Sequence, residues 1–305
     1  MALSSDLANL GEDGFADSGG VKIHYVTKGA GPLVVLIHGI PGFWYDWRHQ
    51  IPALAKHFQA VAIDQRGFNL SDQPEGVENY AIDKLVGDVD AVVKHFGEPK
   101  ATIVGHDSGG WISWHYAMAH PDRTEQLVIV NLPHPGCIER EFANNPQQQN
   151  ASDYARHLQQ LPPGGRTLVH NGVTYVLTPE LYASGFKDDQ PRYLEALRRT
   201  SIEGIINFYK ANYPRPPYRE QTYTPVKCPV LMIHGLDDMW LMPEALNDTW
   251  RYLEKDLTLV TVPKAGHWVH VGPVQGLGAP ELVTKRMVSW LTQQLAGAGA
   301  TELGR

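Results

Sequence analysis

The stretch Ala101-Thr102-Ile103-Val104-Gly105-His106-Asp107-Ser108-Gly109-Gly110 decides the fold. ATIV is a short apolar and β-branched run of the kind that forms a buried strand, and 108–119 has helical length and spacing. A strand that turns sharply into a helix leaves no room for side chains where the backbones cross, so glycines flank the residue at the tip. That residue is Asp107. A serine there would serve acyl transfer. A carboxylate attacks saturated carbon instead, displacing a leaving group and leaving an ester between protein and substrate. The structural reading of Asp107 is a helix N-cap, and its place straight after a buried strand favours the exposed tip. Ser108 stands one place off the tip, which weighs against a serine hydrolase.

The same rhythm continues on both sides. LVVLI at 33–37, AVAI at 60–63, QLVIV at 126–130, VLMI at 230–233 and LTLVTV at 257–262 each end in a turn. Such Val/Ile-rich runs read as strands buried on both faces of a mostly parallel α/β sheet, with helices such as 82–96 between them. From 135 to 224 the rhythm breaks into segments rich in Gln, Asn, Tyr and Pro, such as NNPQQQN and PRPPYR. This segment reads as an inserted, mainly helical cap domain on a discontinuous core domain of residues 1–134 and 225–305. It would cover the carboxyl ends of the strands, where open α/β sheets hold ligands. There is no internal repeat, and the tail after Leu295 reads as frayed.

Composition narrows the function. The chain has 305 residues, 43% hydrophobic and 19% charged, which is globular usage rather than disorder. Lys and Arg number 26 against 33 for Asp and Glu, so a net charge of -7 gives no basic field for nucleic acid or anionic lipid. The two cysteines, Cys137 and Cys228, have neither disulfide-framework nor metal spacing. No apolar run is long enough for a membrane span, and residues 1–20 lack both the basic start and the apolar stretch of an export signal. A soluble, cytoplasmic protein is expected.

His38-Gly39-Ile40-Pro41-Gly42 follows LVVLI. Small residues there let the loop aim backbone NH groups at the site, so the NH groups of Ile40 and Ser108 are expected to form an oxyanion hole.

These motifs resemble the α/β-hydrolase superfamily, specifically its Asp-nucleophile branch of epoxide hydrolases and dehalogenases. The resemblance runs through HGIPGFWYDWRHQIPALA, DQRGFNLSDQP, GHDSGGWISWHYAMAHPDR, NLPHP, HGLDD and GHW. It implies the α/β-hydrolase fold. It also implies a general base, His267, chosen among 14 histidines by its place after nucleophile and acid in chain order; His270 is the weaker candidate. The orienting acid falls in HGLDD, where the family pattern selects Asp238 and leaves Asp237 as fallback. Relatives that place the acid one strand earlier differ from this chain, which reads Asn131-Leu132-Pro133 there.

Opening an epoxide leaves an alkoxide, which needs a proton donor aimed at the ring oxygen, and a phenol can supply it. Epoxide hydrolases use two cap tyrosines for this. The resemblance implies Tyr154 and Tyr209, with Tyr213 and Tyr182 as runners-up. Haloalkane dehalogenases resemble a site with Trp directly after the nucleophile, and fluoroacetate dehalogenases one with Arg there. This chain has Ser108, so epoxide hydrolysis is favoured, with a haloalkane or haloacid dehalogenase and a non-catalytic ligand binder on the same fold as the alternatives. Trp44, Phe68 and Trp111, with Tyr45 and Trp47, are expected to wall an apolar pocket. The expected partners are a small apolar epoxide and water, without metal or organic cofactor, nucleic acid or membrane, in a monomer or homodimer that detoxifies epoxides.

Overall fold

A computed structural model describes residues 7–219, 221–272, 274 and 278–302. The first six residues, on which the reading of the amino terminus partly rests, lie outside the described residues.

One eight-stranded sheet carries the fold, in the order β1-β2-β4-β3-β5-β6-β9-β10. The strands are β1 (Glu12–Ser18), β2 (Val21–Lys28), β3 (Leu33–Ile37), β4 (Gln59–Ile63), β5 (Ala101–His106), β6 (Thr124–Val130), β9 (Val230–Gly235) and β10 (Leu257–Val262). β1 pairs antiparallel with β2 and β2 with β4, while every pair from β4 to β10 is parallel. This is the α/β-hydrolase architecture expected from the sequence.

Alternation along each strand builds two cores. In β3, Leu33, Val35 and Ile37 pack with α2 (Ile82–His95) and α3 (Ser108–Ala119), while Val34 and Leu36 pack with α1 (Ile51–Leu54) and α10 (Pro280–Glu302). Burial on both faces explains why the central strands read as unbroken apolar runs. β10 departs from that expectation. It lies at the sheet edge, and Leu259 is 43% exposed. α10 also continues past Leu295, where a frayed tail is expected, to Glu302.

Between β6 and β9 the chain forms α4 (Pro135–Asn144), α5 (Pro146–Ala151), α6 (Asp153–Gln160), α7 (Pro179–Ala183), α8 (Gln190–Arg198) and α9 (Ile202–Asn212). It also forms a hairpin that the helical reading misses, β7 (Thr167–His170) and β8 (Val173–Val176). Asn171 and Gly172 turn it with φ of 48° and 75°, as a two-residue hairpin loop requires. Among the described residues no helix is long and apolar enough to cross a membrane.

Candidate active site

The elbow is tight. A side chain at Gly105 would meet the Gly109 carbonyl oxygen at 2.3 Å, and one at Gly109 would meet that of Ile37 at 2.3 Å. Between them Asp107 takes φ 50° and ψ -121°, a left-handed conformation that costs a non-glycine residue about 1–3 kcal/mol and is held in place by the packing around it. The turn projects the carboxylate from the carboxyl end of β5, and its side chain keeps 16% exposure.

Asp107 Oδ1 accepts the Ile40 NH at 2.9 Å, and Oδ2 lies 3.3 Å from His267 Nε2. His267 Nδ1 is 2.8 Å from Asp238 Oδ2. Asp238 is fixed in turn: Oδ1 accepts the NH groups of Trp240 and Leu241 at 2.9 and 3.0 Å, and Oδ2 accepts Asn131 Nδ2 at 2.8 Å. Asp237, the fallback acid, is exposed. His270 is buried away from Asp107 against Trp47, with ring centroids 4.3 Å apart.

The charges in this row hold one another. Burial would drive the His267 pKa down, but the Asp238 charge and hydrogen bonds to Asp107 and Asp238 overcome it and lift it to about 10. Burial would raise Asp107 and Asp238; the hydrogen bond and charge of His267 keep both below the ordinary carboxylate range. The resting pair is therefore a carboxylate and an imidazolium. His106, one residue before Asp107, goes the other way, pushed to about 3 by burial and by the charge of His267.

Across the cavity stand the two phenols. Tyr154 sits on α6 and Tyr209 on α9, helices packed together, with ring centroids 5.7 Å apart. Ser201 caps α9 by accepting the Gly204 NH at 2.9 Å, and Gln159 of α6 donates to the carbonyls of Tyr209 and Tyr213 at 3.1 and 2.7 Å. Burial holds both phenols well above their ordinary pKa, and the Asp107 charge adds to it. They stay protonated and can donate. Tyr213 lines a smaller neighbouring cavity, and Tyr182 lines the main one.

The main cavity, about 340 Å³, is bounded by Asp107, His267, Tyr154 and Tyr209 at its polar end. Its remaining walls are largely apolar and come mostly from the segment between β6 and β9: Leu158, Leu168, Tyr175, Leu177, Leu181 and Phe186. The expected aromatic wall needs correction. Trp44 and Phe68 are 1% and 2% exposed and pack in the two cores, outside the lining of either cavity; Trp47 is buried as well. The backbone NH of Trp44 donates to buried Asp64 at 2.9 Å, which ties this turn to the core, and Phe68 packs edge-on against His38. Trp111 does line the smaller cavity, beside Asp107 and Ser108. The Ser108 hydroxyl is turned to Gln65, 3.2 Å away.

Sequence reasoning missed Trp240 and Trp268, which line the cavity. Their signal is adjacency: Trp240 is two residues after Asp238, and Trp268 follows His267 directly. It also missed Asn131. That residue adopts φ 44° at the end of β6, where it donates to Asp238 and accepts the Gly235 NH at 3.2 Å. Among the described residues, one group of three metal-capable side chains comes together, Asp46, His106 and His270, all buried. Burial pushes Asp46 to about 7 despite its hydrogen bond from Tyr193.

Residues 32–272 match the family described as the alpha/beta hydrolase fold. The AB hydrolase superfamily protein YfhM of Bacillus subtilis is 32% identical over 84% of this chain and 91% of its own length. Epoxide hydrolase 1 of Caenorhabditis elegans is 32% identical over 90% of this chain and 68% of its own. A crystal structure of an epoxide hydrolase from Bacillus megaterium, complexed with its product, a naphthyloxy-propane diol, superposes with a TM-score of 0.77. It is 29% identical and covers 92% of this chain and 100% of that one. Strand order, elbow and these likenesses agree: the chain belongs to the α/β-hydrolase superfamily and, within it, to the epoxide hydrolase family.

Proposed function

We propose that this protein hydrolyses small, largely apolar epoxides to vicinal diols in two steps, with Asp107 as nucleophile. The observation that carries the reading is the opposition, across one cavity, of the Asp107–His267–Asp238 row to the paired phenols of Tyr154 and Tyr209. An oxirane between them has a carboxylate behind a ring carbon and proton donors on its oxygen. The division into a discontinuous core and a cap of residues 135–224 belongs to the same proposal, with the cap supplying the phenols.

Asp107 Oδ2 bonds to the ring carbon, the carbon–oxygen bond breaks, and the leaving oxygen takes a phenolic proton. Esterification removes one of the two negative charges that keep His267 protonated. Its basicity falls, and the proton it gives up restores the phenol. Neutral His267, oriented by Asp238, then deprotonates a water that attacks Asp107 Cγ. Oδ1, already bonded to the Ile40 NH, carries the oxyanion, with the Ser108 NH as second donor. On collapse the departing alkoxide takes the remaining proton of the new Cγ hydroxyl, so the diol leaves, Asp107 returns to carboxylate and His267 keeps the proton it took from water. No step requires a metal or organic cofactor.

A paired assay tests the activity: diol release from styrene oxide, aliphatic terminal epoxides and internal epoxides, beside halide release from chloroalkanes and haloacetates. Diol without halide is expected. Halide without diol would establish a dehalogenase.

A further inference from the structure

His267 rests on polar residues that the two steps above leave unused. His106 Nε2 is 2.9 Å from the His267 carbonyl oxygen; a carbonyl only accepts, so the proton is on Nε2 and Nδ1 carries a lone pair. Asp46 Oδ1 accepts the Tyr193 hydroxyl at 2.7 Å, leaving Oδ2. The His270 ring packs against Trp47 and, at 4.4 Å, against His106. All three residues are fully buried. Asp46 Oδ2, His106 Nδ1 and both ring nitrogens of His270 have no hydrogen-bond partner among the described residues. In the same three residues, one metal-capable atom of each lies within 4.8 Å of those of the other two. A side chain at Gly42 would strike Asp46 Oδ2 at 1.8 Å, and one at Gly39 would strike His106 Nδ1 at 2.6 Å. The HGIPG loop thus presents bare backbone to these lone pairs.

Three atoms no more than 4.8 Å apart share a point within about 2.8 Å of each, inside hydrogen-bond reach. The donor count selects the occupant. Asp46 in its carboxylate form and His106 Nδ1 each need a donor, and neutral His270 offers one N–H. One water donates twice and accepts once, with the three partners a buried water typically has.

We propose that Asp46, His106 and His270 bind a single buried water, and that this network positions His267. It ties the histidine loop to the nucleophile strand and, through Tyr193 of α8, to the cap. The water site stands on geometry alone; its effect on turnover rests on the epoxide-hydrolysis reading.

Two measurements on the full chain separate these parts. A high-resolution crystal structure should show one ordered peak without anomalous signal, at hydrogen-bond distance from all three residues. A direct Asp46–His270 hydrogen bond with nothing between, or an anomalous scatterer at about 2.1 Å, overturns the water site. Single-turnover kinetics tests positioning. His270→Phe keeps the packed ring and removes both nitrogens, so ester breakdown should slow about tenfold, with ester formation within about twofold. His270→Gln, which retains a donor and an acceptor, should restore most of that rate. Equal slowing of both steps, or no rescue by glutamine, reduces the cluster to packing and overturns the positioning role. Should His270→Phe not fold, Tyr193→Phe reads the same link and should slow ester breakdown about threefold; an unchanged rate contradicts it. A protein that releases no diol at all still leaves the crystallographic arm decisive.

Discussion

The two walls of the cavity are built on different physics. On the core side, Asp107, Asp238 and His267 follow the carboxyl ends of three parallel strands of one sheet, β5, β9 and β10, each fixed by backbone NH groups or charged partners at 2.8 to 3.3 Å. On the cap side the lining is aromatic and aliphatic, and the β7–β8 hairpin that supplies Leu168 and Tyr175 carries exposed Val169, Val173 and Val176. Electrostatic positioning tolerates little displacement, because charge interactions in a dry site are strong and directional. Apolar packing can be reshaped by substitution at modest cost. The difference assigns chemistry to one wall and substrate selection to the other, with the phenols of Tyr154 and Tyr209 as the exception on the cap side.

The comparison breaks first if the core wall proves dispensable. Asp107→Ala should lower diol release by about 10⁴-fold or more, and His267→Gln should form the ester and stop there. Intact-mass spectrometry would then find the protein heavier by one substrate. A His267→Gln protein that turns over normally would remove the base from the scheme.

The phenols test the exception. Tyr154→Phe or Tyr209→Phe should slow ester formation about 10²-fold while leaving breakdown of a preformed ester nearly unchanged, as rapid-quench measurements can separate. Equal loss in both steps would make the tyrosines packing residues.

Acidity sharpens the contrast between steps. Asp107 is held below the ordinary carboxylate range, so ester formation should persist into moderately acidic solution, whereas ester breakdown fails as His267 becomes protonated. Stability follows the same group with its own sign. The folded value for His267 is about 10 against 6.5 ordinarily, so its contribution is complete below about 6.5 and is lost as pH rises towards 10. Thermal melts should fall over that interval, and His267→Gln should flatten the fall.

The smallest effect belongs to the hairpin. Tyr175→Leu should change KM and the preference among epoxides severalfold, leave kcat nearly unchanged and shift stability by under about 1 kcal/mol. A collapse of kcat would show that the cap wall does more than select.

The legibility of the sequence follows the same division. The core strands and the elbow were readable because burial on both faces writes continuous apolar runs, and the crossing of strand and helix demands glycine at 105 and 109. Asp107 could be named from the elbow itself, whereas His267 and Asp238 needed the family resemblance, through chain order and the HGLDD pattern. The amino-terminal pair β1 and β2 was not anticipated: its burial is partial, and charged residues such as Glu12, Asp13 and Lys22 interrupt the pattern. In the cap, the Asn171-Gly172 turn between TLVH and VTYV did carry a hairpin signal, obscured by the polar composition around it. Trp44 and Phe68 mark a separate limit. Proximity to a motif in sequence does not say which way a ring points, and buried partners, Asp64 and His38, draw these two regions inward.

The central claim is that Asp107 carries the substrate as an ester that water opens at the carboxyl carbon. One turnover in heavy-oxygen water, followed by proteolysis and mass spectrometry of the peptide bearing residue 107, tests it directly. The account requires the heavy oxygen in the Asp107 carboxylate after that single turnover. Label found in the diol alone would mean that water attacks the epoxide itself and would contradict the covalent route.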